Sequence, residues 1–234
     1  MAITIAAPSD FEGIREIWRE RFTTDEKYLE VMFKRIMPLC TSYIYKNEKG
    51  EILSAASFMP MKFIDSSRNI TLQGWYMFGV ATLVKATGKR LATGIISYAT
   101  DDISTKNYHF IFERPANQSL NNFYLKLGFT KALKKLPIDF SAAENECSPR
   151  NTTSFKCPKT LSEHIIKGID SKYEKKFIWE NSPILKGLIE LGELDEHQKG
   201  YSSESKEEVY IAINPLNGTP PNTFDNTFFC FPME

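Results

Sequence analysis

Hydrophobic residues near the start of the chain recur every three to four positions, a spacing that predicts amphipathic helices. Two such stripes follow one another, and the second ends at Pro38, which has no amide hydrogen to continue a helix. Ser9 with Glu12 and Thr23 with Glu26 have the capping-box spacing that satisfies backbone amides at a helix start. The stripes consist of Phe11, Ile14, Ile17, Trp18 and Phe22, and of Leu29, Met32, Phe33 and Ile36.

Apolar runs that predict strands precede and follow these two helices. A short strand is predicted over Ile3–Ala6, and two more over Ser42–Lys46 and Ile52–Phe63. The last two are joined by a polar loop with Gly50 at its end, a pattern typical of a hairpin. The run Ile70–Leu83 predicts a longer, mostly apolar strand.

Helices and strands alternate after this strand, which predicts an α/β (α+β) fold with a mixed sheet. A helix is expected from Gly88 to about Ile103, a strand over Tyr108–Glu113 and a second helix over Gln118–Leu127. Gly128 follows at the position where a helix C-terminus commonly has a left-handed residue. Phe129–Phe140 then begins the final strand of this half of the chain.

The chain divides into a larger and a smaller part, residues 1–140 and 156–234. The connecting residues 141–155 are polar and lack periodicity. A segment of about 80 residues is near the lower size at which a domain folds alone, so we expect the second part to pack against the first. Its pattern predicts two helices, Thr160–Lys175 and Pro183–Leu191, and two strands, Glu208–Asn214 and Thr227–Pro232.

Composition narrows the classes of partner. Of the 234 residues, 42% are hydrophobic and 25% are charged, as in ordinary globular proteins. Lys+Arg and Asp+Glu number 29 each, whereas nucleic-acid-binding proteins usually carry a basic excess, so we expect no nucleic-acid partner. The longest nearly apolar run, Trp75–Val84, has half of the ~20 residues that a transmembrane helix needs, and we expect no membrane span.

The cysteines and histidines argue against disulfides and metals. The cysteines are too scattered for a disulfide framework, and no secretory signal pattern begins the sequence, so we expect reduced thiols and a cytoplasmic protein. The histidines are far apart along the chain, so we expect no metal site. The residues concerned are Cys40, Cys147, Cys157 and Cys230, and His109, His164 and His197.

The segment from Gly79 to Gly94 carries the first chemical signal, a strand that ends in a loop that opens into a helix. Unpaired amides and the positive dipole end of a helix form an anion site suited to phosphate, and three cations lie beside it. An ordinary crossover with a solvated basic loop is the alternative. Neither the P-loop pattern nor the dinucleotide-binding glycine pattern is present. The cations are Lys85, Lys89 and Arg90.

The segment from Pro115 to Phe129 carries the second signal. Tyr124 lies one turn before the end of the predicted helix, and its hydroxyl must find a partner if it is buried. We interpret the neighbouring Phe123 and Leu127 as part of a core stripe.

Together the two segments resemble the GNAT superfamily of acyl-CoA-dependent N-acyltransferases over residues 1–140. The family's loop motif, Gln/Arg-x-x-Gly-x-Gly/Ala, falls on Lys85–Arg90 and keeps Gly88, while Lys85, Thr87 and Arg90 depart from the usual residues. Its second motif matches Asn117, Phe123-Tyr124 and Gly128-Phe129. The resemblance implies a mostly antiparallel central sheet flanked by helices, and it extends to a C-terminal segment that is similar to a partial second unit.

The resemblance also implies a reaction and a set of site residues. An acetyl group would move from acetyl-CoA to a primary amine by direct attack in a ternary complex, with no metal. Tyr124 would protonate the leaving thiolate, and Glu113 or ordered water would take the proton of the amine. The pantetheine arm would contact Val80, Ala81, Thr82 and Asn117, and the phosphates would contact Lys85, Thr87, Gly88, Lys89, Arg90, Leu91 and Ala92.

Two other functions are compatible with the departures in the loop. The protein could be a non-catalytic acyl-CoA sensor, or an interaction module that has lost the ligand. As an enzyme it would act on a small-molecule or peptide amine, and the sequence leaves open whether it forms a homo-oligomer.

Overall fold

The computed structural model describes residues 2–115, 118–131, 175–179 and 212–224. These residues form one mixed sheet of eight strands, in which the spatial order is β1-β2-β3-β4-β5-β8-β6. The remaining strand, β7, pairs with β3. The strands are β1 (Ala2–Ile5), β2 (Thr41–Lys46), β3 (Ile52–Asp65), β4 (Ile70–Thr82), β5 (Phe110–Glu113), β6 (Thr130–Lys131), β7 (Lys175–Trp179) and β8 (Ala212–Pro215).

Four α-helices flank this sheet in the described part of the chain. They are α1 (Phe11–Arg21), α2 (Glu26–Val31), α3 (Leu91–Ser104) and α4 (Asn121–Leu125). The chain after α2 continues as a π-helical turn and then a 3₁₀ turn, Met32–Ile36 and Met37–Leu39. Further 3₁₀ turns lie at Pro8–Asp10, Val84–Ala86, Gln118–Leu120 and Pro221–Phe224.

The sheet changes direction at β4 and β5. Strands β1 to β4 pair antiparallel, whereas β4 and β5 pair parallel over only four registers, from Gly74 with Phe110 to Met77 with Glu113. Beyond Met77, β4 continues to Thr82 with β3 on one edge and no strand of the described residues on the other. The two parallel strands therefore separate at the Met77–Glu113 pair.

Strand β8 lies between β5 and β6, although it follows β6 by about 80 residues in the sequence. It pairs antiparallel with both neighbours, with Ile213 opposite Phe112 on one side and Thr130 on the other. The described strands of the C-terminal part thus belong to the same sheet as the N-terminal part.

The two faces of the sheet bury separate cores. Trp18 of α1 and Leu29 of α2 pack on the face that presents Phe110 and Phe112. Ile95 of α3 packs on the opposite face, together with Tyr124 of α4. Because side chains alternate along a strand, the face that carries α3 and α4 also receives Ile111 and Glu113 of β5.

The α/β fold class is confirmed, and so is the predicted order of strands and helices over residues 2–131. The hairpin and the long strand agree with prediction to within two residues at each end, β5 begins two residues later than predicted, and Gly128 has the expected positive φ of 88°. The predicted Gln118–Leu127 helix is a 3₁₀ turn followed by the shorter α4. Strand Lys175–Trp179 was not predicted, and its first residue falls at the end of a predicted helix.

The capping boxes were wrong. Asp10, not Glu12, accepts a hydrogen bond from a backbone amide, that of Ala7 at 3.0 Å. Asp25 caps α2 through the amides of Lys27 and Tyr28, at 2.9 and 3.2 Å. Asp25 lies two residues nearer the helix than the predicted cap Thr23, and its carboxylate accepts directly from amides of the first turn.

The predicted start of α3 at Gly88 was also wrong, because the helix begins at Leu91. Gly88 and Arg90 both have positive φ angles, 82° and 58°, so the chain makes a tight left-handed turn before the helix. The predicted segments Thr160–Lys175, Pro183–Leu191 and Thr227–Pro232 lie wholly or almost wholly outside the described residues, and the division into two parts stays a prediction.

None of the helices in the described ranges is long and apolar enough to cross a membrane.

Candidate functional site

A cleft of about 780 Å³ opens where β4 continues past its separation from β5. The end of β4 forms one wall, the loop and first turn of α3 form another, and side chains of α4 and of the end of α1 complete it. Its lining consists of Arg21, Phe22, Val80, Ala81, Thr82, Ala86, Thr87, Gly88, Arg90, Leu91, Ala92, Thr93, Phe123, Lys126 and Leu127.

A β-bulge at Gly79 lies in β4 just beyond its last pair with β5, where the cleft opens. Ala55 of β3 pairs with Ala81, but Ser57 pairs with Phe78, so β4 carries one extra residue between these pairs. Gly79 has a φ of 60°, and a Cβ atom there would lie 2.6 Å from Cζ2 of Trp18. Bulges bend and twist a strand, and this one occurs where β4 leaves its parallel partner.

The loop that precedes α3 presents backbone to the cleft. A Cβ atom at Gly88 would meet no protein atom within 4 Å, and its φ of 82° strains any other residue. Arg90 is the N-cap of α3 in a left-handed conformation, and Leu91 and Ala92 follow in the first turn. The start of this 14-residue helix is therefore open to an anion in the cleft.

All the charged side chains that line the cleft are positive. Arg21, Arg90 and Lys126 line it, and the lining contains no Asp or Glu. No ion pair joins any of these three cations to another residue that the structure describes. The site is thus suited to a ligand that carries several negative charges.

Hydrogen bonds hold the wall of the cleft in place. The buried hydroxyl of Ser54 donates to the carbonyl of Ala81 and lies within hydrogen-bond distance of the Thr82 hydroxyl, both at 2.8 Å. The carboxylate of Glu20 accepts from the amide of Val84 at 2.5 Å, which joins the end of α1 to the start of the loop. The backbone of β4 therefore enters the cleft as a preformed surface.

The structure brings most of the predicted donor-binding residues to this cleft. Lys85 and Lys89 are not part of the lining, and the Lys85 ammonium donates to the Glu51 carboxylate. Asn117 lies outside the described residues. The predicted residues that do line the cleft are Val80, Ala81, Thr82, Thr87, Gly88, Arg90, Leu91 and Ala92.

The two predicted catalytic residues contact each other, and neither is part of the cleft lining. Tyr124 and Glu113 share a hydrogen bond and are 4% and 6% exposed. Burial raises the pKa of Glu113 to about 8, against the hydrogen bond with Tyr124 and the charge of Arg114, which lower it. Burial and the neighbouring Glu113 also raise the pKa of Tyr124, which keeps the phenol protonated at neutral pH.

Tyr124 is absent from the residues that line the cleft, whereas its neighbour Phe123 lines it. The two rings are in edge contact, with centroids 5.0 Å apart.

Sequence reasoning missed several cleft residues. Phe22 was assigned to the apolar stripe of α1 but is 51% exposed and lines the cleft. Phe123 and Leu127 were assigned to a core stripe, yet both contribute to the cleft wall. Arg21 and Lys126 carried no signal, because helical spacing alone does not tell a solvent-facing cation from one that faces another element.

Comparisons with solved structures place this architecture among known folds. Eis1 from Mycobacterium abscessus is similar over 83% of this chain, with a TM-score of 0.57 and 14% identity. A GNAT family N-acetyltransferase (YhbS) from Escherichia coli in complex with CoA covers 55% of this chain, with a TM-score of 0.45 and 19% identity. A conserved protein of unknown function from Enterococcus faecalis V583 covers 56%, with a TM-score of 0.48 and 12% identity.

The chain spans 49% of Eis1, 68% of the Escherichia coli protein and 32% of the Enterococcus faecalis protein. No protein-family model matches the chain, and no curated protein matches it. The likeness at these identities concerns the fold. The mostly antiparallel sheet flanked by helices, with its parallel β4–β5 pair, agrees with the fold that the resemblance to the GNAT superfamily implied.

Proposed function

We propose that the protein is an N-acyltransferase that moves an acetyl group from acetyl-CoA to a primary amine. The observation that carries this proposal is the cleft itself. It joins an open strand edge to a helix N-terminus and is lined by three cations and no carboxylate. Acetyl-CoA has matching chemistry, a polyanionic end joined to an uncharged arm with amide groups.

The loop and α3 would hold the phosphates of the donor. Gly88 leaves space for a phosphate to approach the backbone, and the amides of Leu91 and Ala92 begin the helix. Arg90 at the start of α3 and Lys126 just after α4 supply positive charge to the cleft. Residues with these properties fit a diphosphate without a metal ion.

The open edge of β4 would hold the uncharged arm of the donor. Val80, Ala81 and Thr82 line the cleft beyond the last residue that pairs with β5. Backbone groups on that edge can hydrogen-bond to the amides of an extended ligand, as in the addition of a strand to a sheet. The hydrogen bonds of Ser54 keep this edge fixed before the donor binds.

The acceptor would approach from the side of α1. Helix α1 packs on the opposite face of the sheet from α3 and α4, yet its last residues Arg21 and Phe22 reach the cleft. The gap between β4 and β5 therefore connects the two faces. A small-molecule or peptide amine would meet the thioester from the α1 side while the phosphates remain at α3.

The reaction is a direct attack of the neutral amine on the thioester carbonyl. The C–N bond forms, the C–S bond breaks, and Tyr124 donates its phenolic proton to the leaving sulfur. Positioned proton transfer of this kind contributes about 10²–10⁴-fold to the rate. The proton of the amine leaves to ordered water.

The test is transfer by the full chain from acetyl-CoA to a panel of primary amines. The panel contains polyamines, amino acids, arylamines and peptides with a free N-terminus or lysine, with thiol release and product mass as readouts. We expect at least one acetylated amine, formed in step with free CoA. Donor binding without transfer to any amine would contradict the proposal.

A second function, donor binding without catalysis, is favoured by one observation. Tyr124 is 4% exposed, its hydroxyl is engaged by Glu113, and it is not among the residues that line the cleft. A sensor of acyl-CoA would bind acetyl-CoA in calorimetry and acetylate no member of the panel, which distinguishes it from the enzyme.

A further inference from the structure

We propose that Glu113 is a proton-holding partner of Tyr124 and replaces the proton that Tyr124 gives to the leaving thiolate. This inference rests on the acyl transfer proposed above and assigns Glu113 a role opposite to that of a general base. Glu113 acts through Tyr124 and does not touch the donor, so it is a positioning residue.

The position of Glu113 is the first observation. It is the last residue of β5 and pairs with Met77 at the point where β4 and β5 separate. Its side chain lies on the face that carries α3 and α4, where it meets Tyr124 of α4.

The hydrogen bonding of Glu113 is the second observation. It is 6% exposed and shares a hydrogen bond with Tyr124, while its Oε2 atom has no hydrogen-bond partner among the described residues. A buried carboxylate would carry an uncompensated charge there, whereas a carboxylic acid needs only one acceptor. In the hydrogen bond of the structure the Tyr124 hydroxyl donates to Glu113. When that hydroxyl turns to the leaving sulfur, the phenolic oxygen becomes the acceptor for the carboxyl proton.

Few charges act on the pair. The backbone of β8 places Ala212 opposite Glu113, and β4 contributes Tyr76, whose phenol is near Tyr124. Arg114, the next residue in the chain, is the only described cation that acts on Glu113, and its effect is smaller than that of burial. The pKa of about 8 therefore leaves the carboxyl mostly protonated at neutral pH.

The proton movements balance. When the C–S bond breaks, the phenolic proton of Tyr124 passes to the sulfur, and the carboxyl proton of Glu113 passes to the phenolic oxygen. Glu113 is left as a carboxylate and regains a proton from water after the products leave. A general base at this position would instead need the carboxylate from the start, which the apolar surroundings disfavour.

The experiment compares the full-length wild type with Glu113→Gln across the pH range from about 6 to about 9.5, which brackets the pKa of about 8 of Glu113. The amine with the highest turnover in the panel is the acceptor, and kcat is measured at saturating donor and acceptor. The quantity used is the ratio of the two kcat values at each pH, because ionisation of the amine cancels in it. Glu51→Gln serves as the control, because Glu51 is an exposed carboxylate that pairs with Lys85 outside the cleft lining.

We expect the wild type to exceed Glu113→Gln about tenfold near neutral pH, and the ratio to fall above about pH 8 as Glu113 loses its proton. The ratio for Glu51→Gln should stay near one throughout. A ratio that is constant with pH, or one that rises above pH 8 as a base requires, would overturn the inference while acyl transfer stands. Absence of turnover by the wild type would contradict the proposed function first, and this inference with it.

Discussion

The phenol of Tyr124 and the carboxyl of Glu113 are hydrogen-bonded to each other in the buried layer between α4 and the end of β5. Two groups that ionise as acids share a site with little access to water, so each holds its proton more tightly than it would in solution. The thermodynamic consequence is a stability that depends on pH.

We predict that the protein loses stability between about pH 4.5 and about pH 8 through Glu113. The native state holds a proton on this carboxyl up to a pKa of about 8, whereas the unfolded chain releases it near the ordinary pKa of 4.5. Between these two pH values the native state holds the Glu113 proton and the unfolded state does not. The free energy of unfolding therefore falls as the pH rises. Urea unfolding of wild type and Glu113→Gln at about pH 5 and about pH 8 measures the effect.

The wild type should lose a few kcal/mol, as an order of magnitude, more than Glu113→Gln over this range. Other groups titrate identically in both proteins and cancel in the difference. Equal losses in the two proteins would show that Glu113 ionises normally in the native state.

Tyr124→Phe tests the proton donor. The variant keeps the ring that packs against Phe123 and Phe129, at centroid distances of 5.0 and 5.6 Å, and removes only the hydroxyl. We expect turnover to fall by about 10²–10⁴-fold, with the affinity for acetyl-CoA unchanged. Steady-state kinetics and calorimetry on the same preparation make the measurement. A loss of stability with full turnover would leave the hydroxyl a purely structural role.

Gly88→Val tests the phosphate contact at the loop. The new side chain would occupy open space in the cleft, so it should block the donor without clashing with other protein atoms. We expect acetyl-CoA to bind at least about tenfold more weakly, which is about 1.4 kcal/mol.

Gly50→Val is the matched control for this change. Gly50 also has a positive φ, 78°, and open space at its Cβ, but it lies in the β2–β3 loop and not in the cleft lining. Both variants should lose at least about 1 kcal/mol of stability from the left-handed backbone. Equal donor affinity in the two variants would remove the loop from the binding site.

Arg90→Gly should change stability and affinity in opposite directions. Arg90 has a left-handed φ of 58°, which glycine adopts without steric cost, so the variant should gain about 0.5–1 kcal/mol of stability. Loss of the guanidinium should weaken donor binding and reduce its dependence on salt. Thermal unfolding and calorimetry at two salt concentrations report the two effects.

Lys85→Gln removes a neighbouring loop cation that is bonded to Glu51, so it should leave donor affinity unchanged. Tighter donor binding by Arg90→Gly would mean that the side chain obstructs the cleft.

Local patterns predicted the elements of the fold better than their assembly. The stripe of Ile14, Ile17 and Trp18 and the glycine after α4 act within a few residues, and both were identified. The insertion of β8 between β5 and β6 depends on Ile213 meeting Phe112 and Thr130, partners about 80 to 100 residues away. A four-residue strand contains no pattern that specifies such distant neighbours.

The residues of the candidate site also fall into those that local sequence predicted and those that it did not. Gly88 and the residues of β4 were predicted because strand, loop and helix are continuous in the sequence. Arg21 and Lys126 reach the cleft from helices on opposite faces of the sheet, so only the assembled structure shows them together. The left-handed conformation of Arg90 gives a backbone reason for a small residue at that position, which the sequence did not reveal.

The measurement that tests the account most directly is calorimetric titration of acetyl-CoA into the full-length protein. The three cations of the cleft form no ion pair with another described residue and lie beside an open strand edge. They predict saturable binding of one acetyl-CoA per chain, with a dissociation constant of roughly 1 μM to 1 mM that rises with salt. Free CoA should compete for the same site. The absence of binding heat and of any competition at millimolar acetyl-CoA would contradict the assignment of this cleft as an acyl-donor site.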